Sequence, residues 1–375
     1  MADTDFGALQ AAVVKRWMLE FWVAGRDKMF WYANGFIGKA GDMTSVIQRV
    51  TELTTTQRGK ECVMQLILDM VQDGVVGDNK LDDNEELLIN DAVTIRIDQL
   101  RSGVKSKGAM AEQATVIKFR QQAKDKLSFW IADKQDELMF LVMSGRAFTL
   151  KLDGTTRTAS QLPSLSFAAD VVAPSSQRII YGGTATSEAT LTTADKMSWA
   201  VIVRARTLAQ RKRLQPINSK GKGHYCIVMS GEQERDLDLD PTYQTIVSRA
   251  GKQGDDNPLF TGAKAVVGGV IIYSHEKVFN TLGLASGSKW GSGSTVDGAQ
   301  ALMLGGGAGG IAWVNTPQWV ESDKTDYQNR PGIGVGRMFG MLKPQFLSNY
   351  DLTAGAPTRQ DFGVISIKTA AGAAS

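Results

Sequence analysis

The chain has 375 residues, 43% of them hydrophobic, with 42 Lys and Arg against 39 Asp and Glu and a formal net charge of +3. That is enough apolar material for a large core and enough length for two or more domains, while the near-even charge balance means that any electrostatic role must lie in local patterning. Two cysteines, Cys62 and Cys226, exclude a disulfide framework and lack zinc spacing, and two histidines, His224 and His275, leave little for an imidazole metal site or a histidine-based triad.

The amino terminus mixes Asp3, Asp5 and Lys15 with its apolar residues and lacks the basic-then-apolar order of a signal peptide. No run approaches the ~18 apolar residues of a membrane span. The expectation is a globular chain with no membrane partner, made and used in the cytoplasm or in something assembled there.

Residues 8–36 are dense in aromatics, with Trp17, Phe21, Trp22, Phe30, Trp31, Tyr32 and Phe36 spread around more than one helical face. So much apolar surface must be covered, either by the segment's own domain or by a neighbouring subunit on which it docks as an arm. Residues 62–70, CVMQLILDM, read as a strand, and 91–101 alternate Val93, Ile95 and Ile97 with Thr94, Arg96 and Asp98 at period two. Together they suggest a long hairpin whose tip, VQDGVVGDNKLDDNEELLIN, is polar and punctuated by glycine. A two-stranded ribbon is marginal in water by itself and should lie against something.

From Met110 to Met143 the spacing of Val116, Phe119, Ala123, Leu127, Trp130, Leu138 and Leu141 predicts a long helix, with Gly145 placed as its carboxy-terminal cap. Residues 147–191 read as β-rich and threonine-rich. A second helix is expected to open at Thr192, with Asp195 three residues on. HYCIVMSGEQERDL reads as a strand running into a short helix, and 261–274 as strand broken by Gly268 and Gly269. Residues 283–310, rich in glycine and serine, suggest loops around one short helix, and 330–375 supply further strands.

The acidic cluster at the hairpin tip is the first chemical candidate. Asp78, Asp82, Asp83, Glu85 and Glu86 fail the calcium-loop pattern, because Asp83 stands where the sharp turn needs glycine and no glutamate closes the loop. A solvated tip also lacks the pocket that acid–base chemistry requires. Charge blocks are more informative. Between 69 and 91 eight acids face Lys80 alone, a net of −7, whereas 92–126 hold eight bases against three acids, a net of +5. Adjacent blocks of opposite sign equip a chain to meet copies of itself head to tail, although each could also be an ordinary solvated face.

GGGAGG at 305–310 matches a dinucleotide fingerprint formally, but the following residues read as a strand, and pyrophosphate needs a helix amino terminus there. The serine-x-x-lysine matches at 219–222 and 274–277 lack their companion motifs. The basic run of Arg204, Arg206, Arg211, Lys212, Arg213, Lys220 and Lys222 could touch phosphate or complement a helix carboxy terminus. No catalytic, cofactor-binding or metal-ligating residue is assigned, and no cofactor is expected.

Five segments in order, GDNKLDDNEELL (77–88), IDQLRSGV (97–104), NPLFTGAKAVVGGVIIYSHEKV (257–278), GAQALML (298–304) and WVESDKTDYQNRPGIGVGRMFGMLKPQF (319–346), resemble the major capsid proteins of the N-four-like group of tailed bacteriophages. The resemblance covers most of the chain after about residue 60 but does not extend to 147–191 or 283–297. It implies an α+β chain with the Hong Kong ninety-seven type capsid fold: an amino-terminal arm (1–45), an extended hairpin loop with its stems (46–105), a peripheral domain with a long spine helix (106–220 and 331–375), and an axial domain (221–330). It further implies a non-enzymatic shell protein of an icosahedral head, assembled in the host cytoplasm around double-stranded DNA. Partners would be copies of itself, the packaged DNA, a portal protein, and scaffolding or decoration proteins. On this reading Asp82, Asp83, Glu85 and Glu86 face basic residues of an adjacent copy, with Arg96, Arg101 and Arg120 as candidates, and Trp17, Phe21 and Trp22 belong to the docking arm. The rival readings are an encapsulin-like compartment shell and a glycine-loop nucleotide-dependent enzyme.

Overall fold

The structure, a computed structural model, describes residues 29–40, 42, 44–50, 59–68, 70, 72–86, 88–108, 110, 119–219, 222–250, 265–314, 318–322, 329–353 and 356–372. In chain order the elements are α1 (Phe30–Ala33), β1 (Ile37–Ala40), β2 (Ile47–Val50), β3 (Glu61–Ile67), β4 (Asn90–Arg96), β5 (Asp98–Lys105) and α2 (Phe119–Ser144). Then follow β6 (Ile179–Tyr181), α3 (Trp199–Arg211), β7 (Ile217–Ser219), β8 (Lys222–Met229), α4 (Gly231–Asp238), α5 (Pro241–Ala250), β9 (Ala265–Val267) and β10 (Val270–Ser274). The chain closes with β11 (Gly298–Leu304), β12 (Gly309–Trp313), β13 (Gln318–Ser322), β14 (Gly332–Leu342), β15 (Gln345–Thr353), β16 (Ala356–Asp361) and β17 (Val364–Ala370).

Two sheets organise these elements. One has six strands in the order β1-β2-β12-β14-β13, with β5 also paired to β14; the other has seven, in the order β6-β17-β11-β8-β10-β9, with β7 on β8. The 26-residue α2 is the spine between them, about 39 Å long at 1.5 Å per residue. Its first half presents Ala123, Leu127 and Ile131 to Trp319, Ile333 and Val335 of the six-stranded sheet. Its second half, from Leu138 to Met143, is buried all round, packing on Ile47, Ile311 and Met341 of that sheet and on Val228, Leu302 and Val364 of the other. A helix covered on every side needs no polar face, which is why the amphipathic spacing fades towards Ser144. On its far face the seven-stranded sheet is covered by α3, α4 and α5 through Val201, Ile202, Leu237 and Tyr243.

The helix ends by a rule visible in the sequence. Gly145 has φ +62, its N–H donates to Val142 O at 3.0 Å, and Arg146 N donates to Leu141 O at 2.9 Å, the paired bonds of a Schellman cap. Likewise Ser230 and Gln233 form the capping box that opens α4, and Gly268 and Gly269, with φ +58 and +79, turn the β9–β10 hairpin.

Several expectations are corrected. The segment 147–191 is not β-rich: it holds four short 3-10 turns and the three-residue β6. Its hydroxyls and carboxylates bind local backbone instead, as in Thr155 N to Asp153 Oδ1 at 3.0 Å and Ser187 N to Thr190 Oγ1 at 3.0 Å. Thr192 does not open α3. Asp195 accepts from Thr192 N and Oγ1, both at 2.8 Å, to make a separate turn, and the helix begins at Trp199, whose N–H donates to Asp240 Oδ2 at 2.7 Å. The short helix expected within 283–310 is absent among the described residues; turns lead into β11, all of whose residues are buried. Residues 111–118, in the first turns expected of the spine, lie outside the described residues.

Strand pairing joins parts of the chain that are distant in sequence. Strands β12 and β13 share a sheet with β14, across the expected boundary at 330, while β17 leaves 331–375 to become an inner strand of the seven-stranded sheet. β5, expected as a hairpin stem, pairs with β14 along eight registered residue pairs from Asp98↔Phe339 to Lys105↔Gly332.

Candidate assembly surface

The hairpin expected from the alternating pattern is formed by β3 and β4, in register from Glu61↔Arg96 to Ile67↔Asn90. Its base is held at both sides. Arg96 Nη1 pairs with Asp170 Oδ1 at 2.7 Å, and Asp98 accepts from Ser166 N and Gln99 N at 2.7 Å each. Burial works against the charged form of Asp98, but those donors outweigh it and hold its carboxyl below the usual range. On the other edge Asp91 accepts from Leu347 N at 2.8 Å and pairs with Arg359 at 2.5 Å, tying the hairpin to β15 and β16. Cys62, Met64 and Ile95 are buried against the six-stranded sheet, on the face opposite the spine helix.

Beyond Leu68 the described tip is open to solvent. Between 72 and 86 it carries six carboxylates, Asp73, Asp78, Asp82, Asp83, Glu85 and Glu86, against Lys80 alone. Local bonds shape it: Glu86 accepts from Gln72 N at 2.9 Å, Lys80 lies 3.6 Å from Asp82, and Asp83 adopts φ +72. Apolar side chains are exposed among the charges, with Ile67 at 63%, Met70 at 62%, Val76 at 78%, Leu81 at 58% and Leu88 at 62%. A soluble monomer rarely leaves so many large apolar groups along one ribbon in water, and such a surface marks an interface.

The sheet beneath supplies a second open surface. Along β14, Ile333 and Val335 point to the spine helix. The intervening Gly332, Gly334 and Gly336, together with Gly340, fall on the opposite face because side chains alternate along a strand. Where the chain's own hairpin covers that face, glycine is required: a Cβ on Gly340 would stand 2.2 Å from Arg96 O, and one on Gly310 would stand 2.4 Å from Met64 Sδ. Further along, the glycines persist without the cover. A Cβ on Gly334 would meet only Ser102 O and Val320 O at 3.9 Å, and one on Gly332 only Val104 O at 3.7 Å and Ser322 O at 3.9 Å, among the described residues. Gly103 pairs with Gly334, so the trough extends onto β5. Arg101 and Lys105 border it there, paired with Gly336 and Gly332, and Val320, 59% exposed, borders it on β13.

The three candidate arginines are therefore not equivalent. Arg96 is engaged within its own chain, with Asp170 at 2.7 Å and Glu61 at 3.7 Å. Arg120 pairs with Glu321 at 2.8 Å on the spine-helix side of the sheet. Arg101 is exposed, lies along the trough, and makes no ion pair among the described residues. Trp17, Phe21 and Trp22 lie outside the described residues. The part of the aromatic segment that is described packs on its own chain, with Met29, Trp31 and Phe36 at 2%, 1% and 3% exposure. Phe30 N donates to Asp136 Oδ2 of the spine at 2.8 Å, and the Phe30 ring lies 4.3 Å from the His275 ring.

The other chemical candidates dissolve into structure. The loop at 305–310 crosses between the sheets and its amides are taken by carbonyls: Gly305 N by Gly363 O, Gly306 N by Gln215 O and Gly307 N by Ser45 O, at 2.7–2.8 Å. No cradle of free N–H groups is left for a phosphate. His275 Nδ1 accepts from Lys277 N at 3.1 Å, and Lys277 Nζ pairs with Asp133 Oδ1 at 2.6 Å.

Among the described residues, then, the ribbon tip stands in solvent and part of one sheet face has no cover, and comparison with known proteins gives the family. The phage capsid protein family model matches residues 10–373. The major capsid protein of Pseudomonas phage KPP25 is 37% identical over 98% of both chains. The solved capsid of Ralstonia phage GP4 superposes over 93% of both chains with TM-score 0.77 and 28% identity, and the cyanophage Pam1 capsid over 90% and 91% with TM-score 0.68 and 18% identity.

This chain belongs to the phage capsid protein family and has the Hong Kong ninety-seven type fold. It is a major capsid protein, a structural and non-enzymatic chain that associates with copies of itself in the shell of an icosahedral phage head. The glycine trough went unread in the sequence, although its signal, GIGVG with glycine at every second position of a strand, was there to be found.

Proposed function

We propose that this capsid protein closes its shell by laying the acidic hairpin tip of one copy over the glycine trough of the next. Asp82, Asp83, Glu85 and Glu86 are directed towards Arg101 and Lys105, and the exposed Val76, Leu81 and Leu88 cover the trough floor. One observation carries this reading. The same strand clears its face with glycine under its own hairpin at Gly340 and repeats the device at Gly332 and Gly334, where the described residues offer nothing to fill it, while over Gly336 the Arg101 side chain lies across the face, 2.9 Å from an added Cβ. Many weak contacts of this kind, repeated by symmetry, close a container.

On the same reading the six-stranded sheet and spine form the peripheral domain, and the seven-stranded sheet with α3, α4 and α5 forms the axial domain. The leading segment that carries Trp17, Phe21 and Trp22 docks on a neighbour. Double-stranded DNA fills the head, a portal protein occupies one vertex, and scaffolding or decoration proteins are further partners. Five ordered sequence segments support placing the chain with the N-four-like group of tailed phages.

Size-exclusion chromatography and negative-stain microscopy of the full chain test the reading. The expected result is megadalton closed particles containing nucleic acid. A discrete small oligomer with a saturable small ligand would overturn it, and particles filled with a protein cargo would favour a compartment shell.

A further inference from the structure

The assembly surface leaves one strongly charged face unused. From Trp199 to Arg213, α3 and the turn after it carry Arg204, Arg206, Arg211, Lys212 and Arg213 and no acid. Arg206 turns inward to Gly268 O at 2.5 Å, whereas Arg204, Arg211 and Arg213 are exposed. Arg211 makes no ion pair among the described residues. Arg204 is held by Tyr181 O at 3.0 Å, and Arg213 donates to Tyr350 Oη at 2.8 Å with its guanidinium 4.6 Å from the ring centroid. These bonds orient the guanidinium groups without neutralising them.

Two grooves run along this helix. One of about 430 Å³ lies between α3 and the β6 edge and is lined by Arg204, Thr207 and Arg211 together with Ile179, Ile180 and Val203. The other, about 620 Å³, continues past the last turn with Lys212, Arg213 and Tyr350 on its wall. Lys212 Nζ donates to Gln177 Oε1 at 2.8 Å, which joins the two. Among the described residues the one carboxylate on either lining is Asp361, fully buried and paired with Lys343 at 2.9 Å.

Resting on the reading of this chain as a DNA-enclosing shell protein, we infer that the exposed face of α3 is where the shell meets the phosphodiester backbone of nucleic acid. Arginine forks match phosphate oxygens two at a time. Arg204 and Arg211 stand two turns apart on one stripe, roughly 10 Å along the axis, a reach of a few phosphates along one strand. The stripe formed by Ala200, Arg204, Thr207 and Arg211 exposes no large apolar side chain, and Ile179, Ile180, Val203 and Leu208 of the groove beside it are half-buried, which suits a phosphate backbone better than the hairpin tip of a second copy with its uncovered Met70, Val76 and Leu81.

The test uses the full-length chain as unassembled subunits and a short random-sequence DNA duplex, with affinity followed by fluorescence anisotropy across about 50 to 200 mM salt. R204Q/R211Q should lower the slope of log affinity against log salt by about 2 and weaken binding roughly 10- to 100-fold near 100 mM salt. R204K/R211K should restore most of the slope, and K151Q, at an exposed position in the segment between α2 and β6, should leave it unchanged. Glutamine preserves helix propensity at these exposed positions, so circular dichroism should not move. An unchanged slope in R204Q/R211Q, or no binding by the parent chain, overturns the inference. If the slope holds while particles fail to form, the occupant is instead the acidic hairpin of another copy. Failure of the parent chain to form particles would strike the shell reading itself, which is a separate result.

Discussion

Gly103 and Gly334 face each other across the β5–β14 ladder, and among the described residues the space above Gly334 is open, with Ser102 O and Val320 O the nearest atoms to an added Cβ at 3.9 Å. Six residues along the same strand and on the same face, Gly340 lies under the hairpin, where a Cβ would be driven to 2.2 Å from Arg96 O. One strand thus clears its surface twice, once under its own hairpin and once at the trough where, on the proposed function, a ribbon of another copy lies.

Gly334→Val should therefore separate folding from assembly. A β-branched residue suits an open strand face, so the subunit's thermal midpoint should stay within about 1 kcal/mol of the parent in stability terms. Particle yield by sedimentation should collapse, because the added side chain occupies the trough. Gly340→Val is the contrasting control, expected to unfold the hairpin base within the subunit.

Electrostatics of the same contact predict a compensating pair. Arg101→Glu should slow assembly followed by light scattering, and Asp82→Arg should do the same, while the two together recover part of the rate. Each exposed pair contributes only ~0.5–1 kcal/mol, so the effect comes from repetition around the shell and should shrink in high salt. Loss of fold in either single variant, read by circular dichroism, would point to an intrachain role.

Asp136 and His275 both touch Phe30 and should give the subunit opposing pH dependences. Burial raises the Asp136 carboxyl to about 6 from 3.8, so the folded state holds a proton that the unfolded state releases, and stability falls as pH rises between these values. Burial lowers His275 to about 4 from 6.5, so the unfolded state binds the extra proton and stability rises with pH over that window. His275→Gln should lose stability with rising pH, and Asp136→Asn should gain it, each on the order of 2 kcal/mol; melting curves across this range check both signs.

Gly145→Ala should lower the melting temperature of the subunit. The position needs φ +62, and a Cβ there would stand 2.4 Å from Val172 O. A cost of at least ~1 kcal/mol is expected from the backbone alone.

Local patterns were legible where one physical rule governed. The period-two run around Ile95 gave the hairpin, the segment HYCIVMSGEQERDL gave β8 running into α4, and Gly145 marked the end of the spine. Legibility failed where distant residues decided the outcome. Asp240 fixes the start of α3 from 41 positions away, overriding the local signal at Thr192. The charge of the tip suggested an interface element, but the three candidate arginines could not be told apart, since Arg96 and Arg120 look like Arg101 in sequence until Asp170 and Glu321 are brought beside them. A trough made of glycine has no side chains to announce it.

A reconstruction of the assembled particle at side-chain resolution tests the docking directly. The expected density runs from residues 72–86 of one copy across Gly103, Gly334 and Arg101 of its neighbour. A tip folded back onto its own chain, or a trough left open in the closed shell, would contradict it.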